Sequence, residues 1–153
     1  MRKKILLFAI IAALCSGLCG ACGLSEAPEL QEYRTAMDGY FDSISEISDR
    51  IDAIDTESED YKEQLLQELG NLEEVFDAIA EEEIPEDFQI IGTLPQDASD
   101  SLHKAVEEYK KALDDPNFDS EAAAEAERYY ELANEQMRYV LKILRGEDPT
   151  AEG

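Results

Sequence analysis

Apolar residues recur every three or four positions along most of the chain, which is the spacing of one face of an α-helix. Between residues 30 and 54 the intervals are 3, 4, 3, 4, 3, 4 and 3, an unbroken heptad pattern with polar residues in the gaps. Pro28 suits the first turn of such a helix, because the N–H that it lacks would have no partner there. The positions predicted to face inward are Leu30, Tyr33, Met37, Tyr40, Ile44, Ile47, Ile51 and Ile54.

The next segment, residues 55–60, carries residue types that begin helices, and Thr56 and Glu59 have the spacing of a capping box. We therefore predict a turn here and a second helix that ends near Ala80. Because the segment holds no Gly or Pro, one continuous helix over 29–80 remains the alternative. The inward positions of the second helix are Tyr61, Leu65, Leu69, Leu72, Phe76 and Ile79.

The segment from Glu81 to Asp97 breaks the helical pattern with Pro85, Gly92 and Pro95. It is longer than the usual helix–helix connection of about 2–8 residues. Because it also carries large apolar residues, we predict a crossover that packs along or across the helices. Those residues are Ile84, Phe88, Ile90, Ile91 and Leu94.

Two more amphipathic helices are predicted, one over 97–114 and one from about Ser120 onward. Basic residues in the last turns of the fourth helix complement its dipole, and Gly146 and Pro149 mark its end. The inward positions are Ala98, Leu102, Ala105, Val106, Tyr109 and Leu113 in the third helix, and Ala126, Tyr130, Ala133, Met137, Val140, Leu141 and Leu144 in the fourth.

Four amphipathic helices without a strand pattern predict an all-α fold. The simplest arrangement is an antiparallel helical bundle of two hairpins, which we place over residues 29–146. Residues 147–153 then form a short C-terminal tail.

The N-terminus has a different pattern. Met1 is followed by three basic residues, an apolar stretch over 5–14 and small residues up to Cys22. This is the layout of a secretory signal peptide, which we predict over residues 1–21. The alternative is an uncleaved transmembrane helix, since no residue from Ile5 to Cys22 is charged. A membrane span needs about 20 predominantly apolar residues, and the strongly apolar part here is about half as long.

All three cysteines, Cys15, Cys19 and Cys22, lie within or just after this segment. A secreted domain normally uses cysteine in disulfide pairs, and the rest of the chain offers no partner. Gly20 and Ala21 precede Cys22, and the stretch resembles the lipobox of bacterial lipoproteins, with Cys19 where that family usually has Leu. The resemblance implies cleavage between Ala21 and Cys22 and a diacylglyceryl group on the Cys22 sulfur.

The same resemblance implies a location, the extracytoplasmic face of the cell membrane. Residues 22–28 would form the lipid anchor and a short tether, which reaches about 20 Å when fully extended. The domain and its partners are therefore expected close to the bilayer. Beyond the signal, the chain resembles small helical lipoproteins of unknown function in Gram-positive bacteria.

Acidic residues dominate the composition, with 37 Asp+Glu against 13 Lys+Arg. Loss of residues 1–21 removes three basic residues and no acidic one, which leaves 10 basic and 37 acidic residues, a net charge of −27. We therefore expect no nucleic-acid binding, because phosphate neutralisation needs Lys and Arg. Most of the acidic side chains are expected to solvate the outer faces of the helices, and cationic partners fit the sign of the charge.

The single histidine, His103, is the first candidate for metal or acid–base chemistry. Di-metal bundles use two Glu-x-x-His motifs on facing helices, whereas this chain offers one Asp100-x-x-His103. Serine catalysis would need the same histidine, and the sequence has no Gly-x-Ser-x-Gly turn. We predict a structural or exposed role for His103, and no metal, cofactor or enzymatic activity.

A second candidate is the run Asp115-x-Asn117-x-Asp119, which has the spacing of the first three ligands of a calcium loop. Such a loop needs Gly at its sixth position and Glu at its twelfth, where this chain has Ser120 and Ala126. We instead interpret Asp119 or Ser120 as the N-cap of the fourth helix.

Tyrosine is abundant, and its side chains could line a groove or pack in the core with their hydroxyls at the rim. Their helical spacing favours the core. Tyr129 and Tyr130 are neighbours that cannot both face the same core, so one of them is expected at the surface or at a partner contact. The seven tyrosines are Tyr33, Tyr40, Tyr61, Tyr109, Tyr129, Tyr130 and Tyr139.

The predicted function is that of a non-enzymatic, membrane-anchored lipoprotein that presents its bundle to an envelope protein partner. The alternative is binding of a small ligand or ion by the acidic faces or by residues 84–95. A hydrophobic cleft between the hairpins would favour the small ligand, and a filled core with an exposed apolar stripe would favour the protein partner.

Overall fold

The computed structural model describes residues 27–147, which form an all-α fold as predicted. Successive helices pack on one another as a bundle of two hairpins. Within this part of the chain, no helix combines the length and apolar character needed to cross a membrane. The predicted signal peptide, the predicted lipidation site Cys22 and residues 148–153 of the predicted tail lie outside the described residues. The helices are α1 (Pro28–Asp52), α2 (Tyr61–Glu81), a 3₁₀ helix (Glu86–Ile91), α3 (Leu94–Asp114) and α4 (Ser120–Leu144).

The first two helices are separate, so the alternative of one continuous helix is wrong. In the turn between them, the Asp55 carboxylate accepts a hydrogen bond from the Glu57 N–H at 2.9 Å. The Ser58 hydroxyl oxygen accepts another from the Asp60 N–H at 3.2 Å. Such bonds offer the backbone an alternative to the helix. The capping-box interpretation of Thr56 is also wrong, since the N-cap of α2 is Asp60, whose side chain makes no capping bond within the described chain.

Most positions predicted to face inward are buried, but the buried stripe differs by one residue in two places. In α1, Phe41 is buried and Tyr40 lies half-buried beside it. The buried residues from Tyr33 to Ile51 cover 18 positions in five intervals, an average of 3.6. This is the period of a straight α-helix, whereas the heptad assumes 3.5. In α3, Ala112 is buried and Leu113 is half-buried. Three predicted positions near the helix ends are also only partly buried: Leu30, Ile54 and Tyr61.

The third and fourth helices form the most closely packed pair, and alanine explains their proximity. Small side chains allow two helix axes to approach, whereas large ones hold them apart. α1 and α2 bury only large side chains in the core and pack less closely on each other. The buried alanines are Ala98, Ala105 and Ala112 in α3, and Ala122, Ala126 and Ala133 in α4.

The segment between α2 and α3 packs against the bundle through the 3₁₀ helix, as predicted. Phe88 and Ile91 join the core, whereas Ile90 is 75% exposed. α3 begins at Leu94, three residues earlier than predicted. The reason is Pro95, which lies in the first turn of the helix, where proline is favourable, and does not interrupt it.

Candidate functional site

An open groove of about 450 Å³ runs between α1 and α2. The packing described above accounts for the groove. Large core side chains separate α1 from α2, while the short side chains of Ser43 and Ala78 lie between the two helices at the surface. The floor is apolar: Ile47 is buried, and Val75 and Ala78 are half-buried. The volume lies within the range of about 300–1,000 Å³ that is common for ligand pockets.

At each end of the groove, a side-chain bond links α1 to α2 or to the residue that follows α2. At one end the Tyr40 hydroxyl donates to Glu82 Oε1 at 2.7 Å. At the other end Arg50 Nε donates to Glu68 Oε2 at 2.9 Å, and Asn71 Nδ2 donates to the same oxygen at 3.0 Å. The bond to Glu82, followed by burial, raises the pKa of Tyr40, so its hydroxyl remains a donor at neutral pH. Ten residues of helix separate Tyr40 from Arg50, which makes the groove about 15 Å long.

Two carboxylates give the groove its charge, Glu46 on the α1 wall and Glu74 on the α2 wall. Both side chains are exposed. Within residues 27–147 neither forms an ion pair, whereas Arg50, the cation of the groove lining, is paired with Glu68. The groove therefore combines an apolar floor with two unneutralised carboxylates on opposite walls.

The histidine predicted to be structural or exposed is half-exposed and joins α3 to α2. Nδ1 of His103 lies 2.7 Å from Glu73 Oε1, and Nε2 lies 2.9 Å from Asp77 Oδ1. A neutral imidazole has one N–H, so only the imidazolium donates to both carboxylates. The buried Ser99 hydroxyl donates to Asp77. Among the described residues, Ser99 and His103 share the Asp77 carboxylate and form no hydrogen bond with each other.

The His103 bridge makes the stability of the fold depend on pH. Burial lowers the pKa of His103, but the hydrogen bonds and charges of Asp77 and Glu73 outweigh it and raise the pKa above the ordinary 6.5. A raised folded-state pKa stabilises the fold below the unfolded-state pKa, and this stabilisation is lost as pH rises through the folded-state pKa. We expect His103→Gln to lower the free energy of unfolding by about 0.5 kcal/mol at about pH 5.5, allowing for solvent screening, and to have no effect at about pH 9. Urea unfolding followed by circular dichroism measures both values.

Lys110→Gln is the matched control, because Lys110 is an exposed cation on the same helix. Its effect on the free energy of unfolding is expected to be equal at the two pH values. An effect of His103→Gln that does not change with pH would contradict the imidazolium bridge.

The resemblance to a calcium loop is explained by helix capping. Asp119 Oδ1 accepts hydrogen bonds from the N–H groups of Glu121 and Ala122, at 3.0 and 3.1 Å. These bonds, the one from Ala122 above all, lower the pKa of Asp119. Asp115 Oδ1 accepts from the Asn117 N–H at 2.7 Å. The N-cap prediction is confirmed for Asp119, and among residues 27–147 no three His, Cys, Asp or Glu side chains are grouped to hold a metal ion.

The two neighbouring tyrosines differ in burial, but both pack on the same core, which the prediction did not expect. Tyr130 is buried in the core, whereas Tyr129 is half-buried. The Arg128 guanidinium lies 4.3 Å from the centre of the Tyr129 ring, and Lys104 Nζ lies 5.7 Å from it. Two of the few basic side chains of this protein therefore lie close to the Tyr129 ring. Tyr40 is the tyrosine that lines the groove.

No protein-family model matches this chain. No curated protein and no solved structure matches it either. The predicted cleavage and lipidation residues, Ala21 and Cys22, lie outside the described residues and stay predictions. The groove was not predicted from the sequence. The signal that points to it is the contrast between the alanine-rich inner faces of α3 and α4 and the large inward side chains of α1 and α2.

Proposed function

We propose that this chain is a non-enzymatic, lipid-anchored lipoprotein on the extracytoplasmic face of the cell membrane, and that its α1–α2 groove binds a protein partner there. The observation that carries the binding role is the groove, with its apolar floor and its two unneutralised carboxylates, Glu46 and Glu74. The membrane anchor is supported by the lipobox-like sequence that ends at Cys22.

The geometry of the tether bears on which partners this groove would meet. The chain from Cys22 to Pro28 reaches at most about 20 Å. Tyr40 lies about 18 Å along α1 from Pro28, and Arg50 about 33 Å, at 1.5 Å per residue. On this proposal the whole groove stays within about 55 Å of the bilayer, so a membrane protein reaches it with a short projecting segment.

A second candidate is binding of a small ligand, and the volume of the groove favours it. The groove lies within the first hairpin, whereas the small-ligand alternative predicts a hydrophobic cleft between the two hairpins. The exposed large apolar residues are Ile90 in the 3₁₀ helix, Phe118 between α3 and α4, and Leu132 in α4. The acidic groove is therefore a better basis for the protein-partner proposal than any apolar surface of the described chain.

Position-specific crosslinking tests this proposal. A photo-reactive amino acid replaces Ser43 inside the groove or, as a control, Ala124, which is exposed on α4. In native membranes we expect illumination to join a single protein to position 43, identified by mass spectrometry, and nothing to position 124. Identical adducts at both positions, or no protein adduct at position 43, would overturn the proposal.

A further inference from the structure

We infer that the groove between α1 and α2 takes a lysine side chain from a basic segment of the partner protein, an inference that rests on the proposed function. The lysine stem would lie on Val75 and Ala78, and its ammonium group would lie between Glu46 and Glu74. Two features of the described residues lead to this occupant: the apolar floor and the opposed carboxylates without ion-pair partners.

The apolar floor suits the stem of lysine. Lys and Arg side chains bury their methylene groups along apolar surface while their charged ends remain in polar surroundings. In the groove, half-buried Val75 and Ala78 offer the accessible apolar surface, and Ile47, which is 4% exposed, adds little to it. A shorter cationic group would reach the carboxylates without covering this floor.

The arrangement of the carboxylates favours lysine over arginine. Glu46 lies on α1 and Glu74 on α2, so a cation that pairs with both carboxylates donates toward both helices. An ammonium group has three donors around one nitrogen and meets this demand, whereas a planar guanidinium pairs best with both oxygens of one carboxylate.

The formal net charge of −24 attracts any cation to the whole surface, so the test must separate the groove from this general field. The probe is a fluorescein-labelled hexapeptide of alternating lysine and glycine. It is titrated with the full-length protein in mild detergent at about 0.15 M salt, where the Debye length is about 8 Å and distant charges are screened. Fluorescence anisotropy gives the dissociation constant.

Two double variants remove the same charge from different places. Glu46→Gln with Glu74→Gln changes the groove, and Glu107→Gln with Glu127→Gln changes exposed residues of α3 and α4. We expect the groove variant to raise the dissociation constant about tenfold and the control variant less than about twofold. Equal weakening by the two variants would overturn the inference, because the general field would then account for binding.

A neutral substitution provides an independent arm. Ser43→Phe fills the groove without changing its charge, and Ala124→Phe adds the same side chain to the exposed surface of α4. We expect only Ser43→Phe to weaken peptide binding, with circular dichroism confirming that both variants are helical. Unchanged binding by a folded Ser43→Phe would contradict a lysine on the groove floor.

Two further titrations test the chemical class of the group that binds in the groove. The matching arginine–glycine peptide is expected to bind more weakly than the lysine peptide, and equal or tighter binding would overturn the choice of lysine. Free spermine that binds the groove more tightly than the peptide would overturn the protein segment in favour of a small polyamine. Failure of the proposed function is distinguishable from these results, because it appears as the absence of a protein crosslink at Ser43.

Discussion

Cys22→Ala is expected to abolish palmitate labelling of the protein and to release or mislocalise it. On the lipoprotein proposal, the Cys22 sulfur carries a diacylglyceryl group through a thioether, and no other residue replaces that sulfur. Each buried CH₂ contributes about 0.8 kcal/mol to membrane binding, so loss of two acyl chains removes nearly all of the anchoring free energy. Metabolic labelling with palmitate, followed by membrane fractionation, measures both effects.

Cys15→Ala and Cys19→Ala are the matched controls, because each removes one thiol from the same N-terminal segment. Both are expected to retain palmitate and membrane association. Unchanged labelling of Cys22→Ala would refute the assignment of Cys22. Absence of palmitate from the native protein, with the N-terminal segment retained, would instead support the uncleaved transmembrane helix.

Phe76→Ala is expected to lower the free energy of unfolding by about 3–5 kcal/mol, the cost of deleting a buried aromatic ring and leaving a cavity. Phe76 is 1% exposed and lies in α2, one of the two helices that form the groove. Domains of this kind are stable by about 5–15 kcal/mol, so one substitution removes a large share of that stability. Urea unfolding followed by circular dichroism gives the value.

Val75→Ala is the neighbouring control, since Val75 is half-buried and faces the groove. Its expected cost in the free energy of unfolding is about 1 kcal/mol, because the substitution removes fewer carbon atoms and removes them from a less buried site. Phe76→Leu, which keeps most of the volume, is expected to fall between the two. A Phe76→Ala variant no less stable than Val75→Ala would contradict the packing described for α2.

Helix number and most inward faces were predictable because local periodicity determines both. The errors arose where one local signal had two meanings. Pro95 was interpreted as a break although proline also begins helices, and the heptad spacing placed Tyr40 inward where the true period of 3.6 buries Phe41. The turn between α1 and α2 was predicted, but its stabilising bonds come from Asp55 and Ser58 and not from a capping box.

The candidate site was less predictable, because it depends on distances between helices. Nothing local to Glu46 indicates that Glu74 lies across a groove from it, since the two residues are far apart in sequence. His103 is similar: its charged partners Glu73 and Asp77 belong to another helix. By contrast, the capping role of Asp119 was predictable, because both N–H groups that it binds follow within three residues.

The unequal spacing of the helices has a consequence for motion. Closely packed α3 and α4 share the contacts that must break together in an opening event, and α2 packs more closely on α3 than on α1. Two side-chain bonds, Tyr40–Glu82 and Arg50–Glu68, link the two walls of the groove. Regions with fewer buried contacts open at lower free energy than the rest of a fold. α1 is therefore the more pliable wall of the groove, able to move outward around an arriving chain while α2 stays packed on the rigid base of α3 and α4.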